Sequence, residues 1–162
     1  MMQATPKILV YGYGNPGRQD DGLGVLLAEK IEKWARNNHF TNIITDSNYQ
    51  LNIEDAAEIS NSDVVVFADA SMEDIPGHCM TEVEPSPKVE FTMHSVSPGF
   101  VVNLCRQIYG KVPACYLMHI RGYEWELKES LTRKAKINLE AAFEFLTSYL
   151  KCPERLAETV NE

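Results

Sequence analysis

The sequence predicts an α/β protein: a single three-layer domain with a mostly parallel five-stranded sheet and helices on both faces. Three observations predict it. Short apolar runs of strand length alternate with stretches of helical periodicity along the whole chain. The strongest run, Asp63–Ala68 (DVVVFA), is continuously apolar after its first residue and carries three successive β-branched valines, as in a central strand buried on both faces. At 162 residues the chain can bury roughly two-thirds of its unfolded surface, enough for one core without staples.

The elements follow in order. Lys7–Gly12 (KILVYG) is an apolar run that stops at glycines and reads as the first strand. From Asp21 to Asn37, residues Leu23, Leu26, Leu27, Ile31 and Trp34 recur at three- and four-residue spacing and form the apolar stripe of a helix. Asn42–Thr45 reads as a second strand, Asn52–Ser60 as a short acidic helix, and Asp63–Ala68 as the central strand. Within Gly77–Glu84 the run CMTEVE is a further strand, and Pro85–Met93 is a loop with two prolines. Ser97-Pro98 supplies an N-cap and a first-turn proline for a helix running to Tyr109 and ending at Gly110. Ala114–Ile120 is the last strand. Thr132–Leu150 is the last helix, with Ala135, Leu139, Ala142, Phe143, Leu146 and Leu150 on one side. Pro153 ends it, and residues 153–162 form a polar tail.

The charge balance narrows the partners. Residues 1–81 carry 5 basic and 12 acidic side chains, a net of −7, whereas residues 82–162 have a net of −1. An acidic half repels phosphate backbones, which argues against nucleic acid and favours cations or a basic protein surface. The start, MMQATPKILVYGYGN, has no basic region followed by an apolar run, and no apolar run reaches membrane-spanning length. The cysteines, Cys79, Cys105, Cys115 and Cys152, form no CxxC pair. The expectation is a reduced, cytoplasmic protein that uses no membrane.

The segment Gly12-Tyr13-Gly14-Asn15-Pro16-Gly17 fits GxGxxG after a strand. A dinucleotide fold would place an acidic residue about 20 residues further on, but Asp46 lies 29 beyond Gly17. Asp20 and Asp21 also stand at the helix start, where a pyrophosphate would have to bind. Peptidyl-tRNA hydrolases also open with a strand and a GxGNPG run. Here the catalytic histidine of that family is missing, because the corresponding stretch reads Arg18-Gln19-Asp20-Asp21-Gly22.

The run GYGNPGRQDDGLG, residues 12–24, resembles the signature of nickel–iron hydrogenase maturation endopeptidases. That signature is GxGN, a variable stretch, then Asp-Asp/Glu and a glycine-containing first helical turn. The resemblance extends to Phe67-Ala68-Asp69-Ala70, to a loop containing His94, to Tyr109-Gly110-Lys111-Val112-Pro113, and to the run from Gly122 to Thr132. Tyr49-Gln50-Leu51-Asn52 is similar to the branch serving the bidirectional, NAD(P)-linked hydrogenases. One departure concerns substrate contact: Asp46-Ser47-Asn48-Tyr49 stands where many members have Asp-x-Gly-Thr.

The resemblance implies an endopeptidase that removes a C-terminal extension from the nickel-loaded large-subunit precursor of a nickel–iron hydrogenase. It implies a metal site made of Asp21, Asp69 and His94, with nickel supplied by the substrate and zinc or cadmium able to take its place. Spacings of 48 and 25 residues are no metal motif by themselves, but all three positions fall where a parallel sheet presents its carboxyl edge. Other readings stay open at each residue. Asp21 and Asp20 are good N-caps, Asp69 could form a turn, and His94 could be an ordinary loop histidine. The resemblance supplies no nucleophile or general base. Asp20 is the spare carboxylate available as a proton acceptor. Two further function classes remain: a non-catalytic chaperone that checks the metal on the same fold, and a dinucleotide-binding protein. A cysteine-protease reading would need an activated thiol, with Cys115 and His119 on one strand face as the available pair. The ordinary reading makes Cys115 and Cys105 core residues and gives His78 and His119 structural roles.

Overall fold

The computed structural model describes residues 5–87 and 96–155. Five strands form one sheet: β1 (Ile8–Tyr13), β2 (Ile43–Asn48), β3 (Val64–Ser71), β4 (His78–Glu82) and β5 (Ala114–Arg121). Their order is β2-β1-β3-β5-β4, with every pairing parallel except β4 against β5. Four helices connect or cover them: α1 (Leu23–Asn37), α2 (Ala56–Ser60), α3 (Pro98–Leu104) and α4 (Arg133–Leu150).

The alternation of strand residues divides the core in two. Ile8, Val10, Val66, Ala68, Met118 and Ile120 face α1 and α4, where they meet Leu27, Ile31, Leu139 and Leu146. Leu9, Tyr11, Val65, Phe67 and Cys115 face the other way, toward Ala56 and Ile59 of α2 and Val101 and Val102 of α3. Both faces of the sheet are therefore covered, which is why its central strands read as continuous apolar runs. Each fully buried Leu or Ile in these layers stabilises the fold by roughly 1.5–3 kcal/mol.

The expected elements are present, and their ends differ in instructive ways. The helix expected from Asp21 begins as a 3-10 turn over Gln19–Gly22 before α1 proper. Ser97 caps α3 by accepting a hydrogen bond from Phe100 N (3.2 Å), with Pro98 in its first turn. A π-helical turn, Cys105–Tyr109, then carries the chain to Gly110, whose φ of 67° is left-handed. α4 is capped by Thr132, and a 3-10 turn at Pro153–Arg155 follows it.

Two strands run further than the sequence suggests. β2 continues to Asn48 because β1 pairs with it through Tyr13. β3 continues to Ser71, so Asp69 lies inside the strand rather than at its end. There β1 has stopped pairing at Ala68, and β5 alone supports β3 from Asp69 to Ser71. The divergence of β1 from β3 opens a crevice at the point where the strand order reverses, the usual position of a ligand site in such sheets.

Candidate functional site

The crevice is built by close approach of α1 to the sheet. A side chain on Gly24 would collide with the carbonyl oxygen of Ala68 and lie 2.8 Å from that of Tyr13. Only a residue without Cβ lets the first turn of α1 rest on β1 and β3. This contact carries Asp21, just before α1, to the side of Asp69 on β3. Asp69 senses its neighbour: it is pushed up to about 7, first by burial and then by the charge of Asp21, while a bond from the Ala70 backbone opposes the shift. Tyr13 stands on the same edge, and its phenol is held well above its usual range by burial and by Asp69.

Asp21 is partly exposed, and its Oδ2 accepts from the backbone N–H of Asn15 (2.8 Å). Asn15 in turn closes the loop, its side-chain Oδ1 accepting from Gly17 N (2.9 Å). Asp20 has a different environment. It is 0% exposed. Its Oδ2 accepts from Tyr123 N (2.7 Å), Glu124 N (3.2 Å) and the Thr132 hydroxyl (2.8 Å), and its Oδ1 accepts from Thr132 N (2.8 Å). Gln19, beside it, has a left-handed φ of 49°, a conformation costing a non-glycine residue roughly 1–3 kcal/mol. Bonds to the same distant segment hold Gln19 there: its N–H donates to Lys128 O (2.9 Å) and its Oε1 accepts from Glu126 N (3.0 Å).

A cavity of about 390 Å³ adjoins Asp69 and is lined in part by Tyr13, Ser71, Glu73, Ser97 and His119. His119 pairs in register with Asp69 across β3 and β5, so both project from the same face of the sheet. Its Nε2 lies 2.9 Å from Thr81 Oγ1 of β4, which fixes the ring. Burial lowers the imidazole pKa and outweighs the opposing charge of Glu73, so the neutral ring is favoured. Reading His119 only as a residue within a strand missed its place in this cavity. The available signal was that the even spacing from Cys115 puts it on a definite face.

Two of the three predicted metal ligands are thus visible. Asp21 and Asp69 come together at the switch point, whereas His94 lies outside the described residues. Among the described residues, no group of three or more His, Cys, Asp and Glu side chains is arranged to hold a metal ion. Neither core thiol, Cys105 nor Cys115, is activated. Burial pushes Cys115 up to about 12 and Cys105 up to about 11, and the Cys105 thiol donates to Ala56 O (3.2 Å). That removes the chemistry a cysteine protease requires.

A second acidic group sits on the α2 side. Tyr11 donates its hydroxyl to Asp55 Oδ2 (2.8 Å). Glu58 is raised to about 7 by burial, then by hydrogen bonding and charge from Asp46, then by Asp55. A smaller cleft, about 270 Å³ and lined by Gly14, Pro16, Val25, Ser47, Asn48 and Tyr49, lies between the first motif and the end of β2. No helix among the described residues is long and apolar enough to cross a membrane.

A three-layer α/β fold with two carboxylates meeting at its switch point defines the class of protein. No family model matches the sequence, and no curated protein matches it. Solved structures do match its fold. The structure is similar to a [NiFe] hydrogenase maturation protease, HycI, from Thermococcus kodakarensis KOD1, with a TM-score of 0.70 and 21% identity over 90% of this chain and 93% of that chain. It is similar to the hydrogenase maturating endopeptidase HybD from E. coli, with a TM-score of 0.70 and 20% identity over 90% and 92% of the two chains. It is also similar to the hydrogenase 2 maturation peptidase from Thaumarchaeota archaeon SCGC_AB-539-E09, with a TM-score of 0.65 and 16% identity over 90% and 98%. The chain therefore has the fold of the hydrogenase maturation proteases, over nearly the full length of each.

Proposed function

We propose that this chain is an endopeptidase that removes a C-terminal extension from the nickel-loaded large subunit of a nickel–iron hydrogenase. The observation that carries the reading is the meeting of Asp21 and Asp69 at the switch-point crevice. It occurs on a fold whose solved relatives are named maturation proteases.

The donor chemistry fits a divalent cation. Two carboxylates held together raise each other's cost of ionisation, and a cation between them relieves it. With His94 as the third ligand, the oxygen and nitrogen set suits nickel, with zinc or cadmium able to substitute, and leaves positions open for the substrate. A metal held by Asp21 and Asp69 would supply Lewis-acid polarisation of the scissile carbonyl. The remaining work falls to the chain. Asp21 and Asp69 orient the precursor through the nickel it carries. His119, a neutral imidazole in the adjoining cavity, is the group available to move a proton. Asp20 is not free to do so, because both its oxygens are occupied by donors from residues 123–132.

A dinucleotide fits the site poorly, since Asp21 faces the position a pyrophosphate would take. Cys79, Cys105 and Cys115 form no disulfide, in keeping with a reducing compartment, and we place the protein in the cytoplasm. The partner is the large-subunit precursor.

The test is incubation of the purified protein with that precursor, nickel-loaded or nickel-free, followed by intact mass measurement. Shortening of the nickel-loaded form alone is expected. A stable complex with no loss of mass would instead identify a metal-checking chaperone. Neither binding nor shortening would overturn the reading.

A further inference from the structure

We propose that Asp20 is a positioning residue for Asp21, acting through the segment from Tyr123 to Thr132; this rests on the assignment of Asp21 to the site. The loop between β1 and α1 must deliver Asp21 to one place in the crevice, yet it spans only residues 14–22. Its own bonds are local: Arg18 N donates to Asn15 O (3.0 Å), and Asp21 N donates to Arg18 O (3.2 Å). Gly14 N ties the start of the loop to Asn48 O of β2 (3.1 Å), and the part that carries the aspartates is fixed from outside by bonds to residues more than a hundred positions away.

Asp20 is the centre of that set. Three backbone N–H groups, from Tyr123, Glu124 and Thr132, converge on its carboxylate with the Thr132 hydroxyl. Its own N–H donates to Glu124 O (3.2 Å). A carboxylate can accept this many donors, whereas an amide cannot, because half of its polar edge donates. Thr132 also accepts from Ala135 N (3.3 Å), so the same hydroxyl caps α4 while it holds Asp20. The lock therefore ties the start of α4 to the residue preceding Asp21. Gln19, held in a left-handed backbone by the same distant segment, leads into the pair, in which Asp20 is buried and Asp21 partly exposed. The adjacent acids divide the labour. Asp20 spends its oxygens on the fold, and Asp21 keeps an oxygen for the site.

The Asn15 amide reports the position of Asp21 directly, because it donates to Asp21 Oδ2. The full chain, labelled with 15N, is compared by NMR as wild type, Asp20→Asn and Asp21→Ala, with no metal or substrate present. The account expects Asp20→Asn to stay folded and to move the Asn15 amide most of the way to its Asp21→Ala position. With nickel-loaded precursor, kcat should fall about tenfold or more, as expected for a ligand displaced by a fraction of an ångström, while KM changes little. A folded Asp20→Asn protein with the wild-type Asn15 resonance and wild-type kcat would overturn the assignment. Should Asp20→Asn fail to fold, Thr132→Val removes one of the four donors to Asp20, together with the α4 cap. A shift of Asn15 in that variant supports the assignment, and an unmoved Asn15 overturns it. The NMR comparison stands even if the precursor is not the substrate, so the two readings fail separately.

Discussion

Gly24 of α1 lies against the carbonyl of Ala68, leaving no room for a side chain between helix and strand. Asp69 follows Ala68 in β3, and Asp21 lies one turn before Gly24. The backbone contact is thus what sets the two carboxylates beside each other. Gly24→Ala forces a methyl group onto two backbone carbonyls that cannot swing aside. It should cost roughly 1–3 kcal/mol of stability or more, read as a lower denaturation midpoint, and weaken metal binding. A variant of wild-type stability would show that α1 can shift freely and that the contact does not define the site.

Asp69 is held at a cost to stability. Its folded pKa, about 7, lies above the ordinary carboxyl value of 3.8. A raised carboxyl favours the folded state below its unfolded pKa, and that advantage is lost as pH rises through about 7. At pH 8 the protein carries the penalty in full. Asp69→Asn should therefore stabilise the protein at pH 8 by on the order of 2 kcal/mol, lose that gain near pH 4, and no longer bind nickel or zinc. Equal or lower stability at pH 8 would contradict the burial of an unfavourable charge.

Glu58 tests the same linkage away from the site. It is raised to about 7 by burial and by Asp46. The sign is the same, with stability falling as pH rises from about 4.5 to 7. Glu58→Gln should flatten the thermal-stability profile across that window. The effect is on the order of 1 kcal/mol after discounting for its half-exposed position. An unchanged profile would mean that Glu58 and Asp46 do not share a proton.

His119→Gln keeps a polar side chain of similar reach and removes the imidazole. Nickel binding should be retained, because Asp21 and Asp69 are untouched. Processing should drop about 100-fold or more if the ring moves a proton. Loss of metal binding together with activity would instead make His119 part of the metal site.

Much of this architecture was legible in the sequence. The β-branched run of β3, the stripe of α1 and the Ser97-Pro98 start of α3 each follow from local chemistry. So does the meeting place of Asp21 and Asp69, at the carboxyl ends of parallel strands. What local reading missed depends on distant pairing. Asp20 looks like a spare acid until Tyr123, Glu124 and Thr132 arrive from across the chain. His119 becomes a cavity residue only when β5 sets it in register with Asp69. The extension of β3 past Ala68 depends on continued pairing with β5, which no pattern within β3 records.

The most direct measurement follows the mass of nickel-loaded large-subunit precursor incubated with wild type, Asp21→Ala or Asp69→Ala protein, each shown to be folded. The account predicts that wild type shortens the precursor at its C-terminus and that neither variant does. Full shortening by either variant would contradict the assignment of the paired carboxylates as the site of processing.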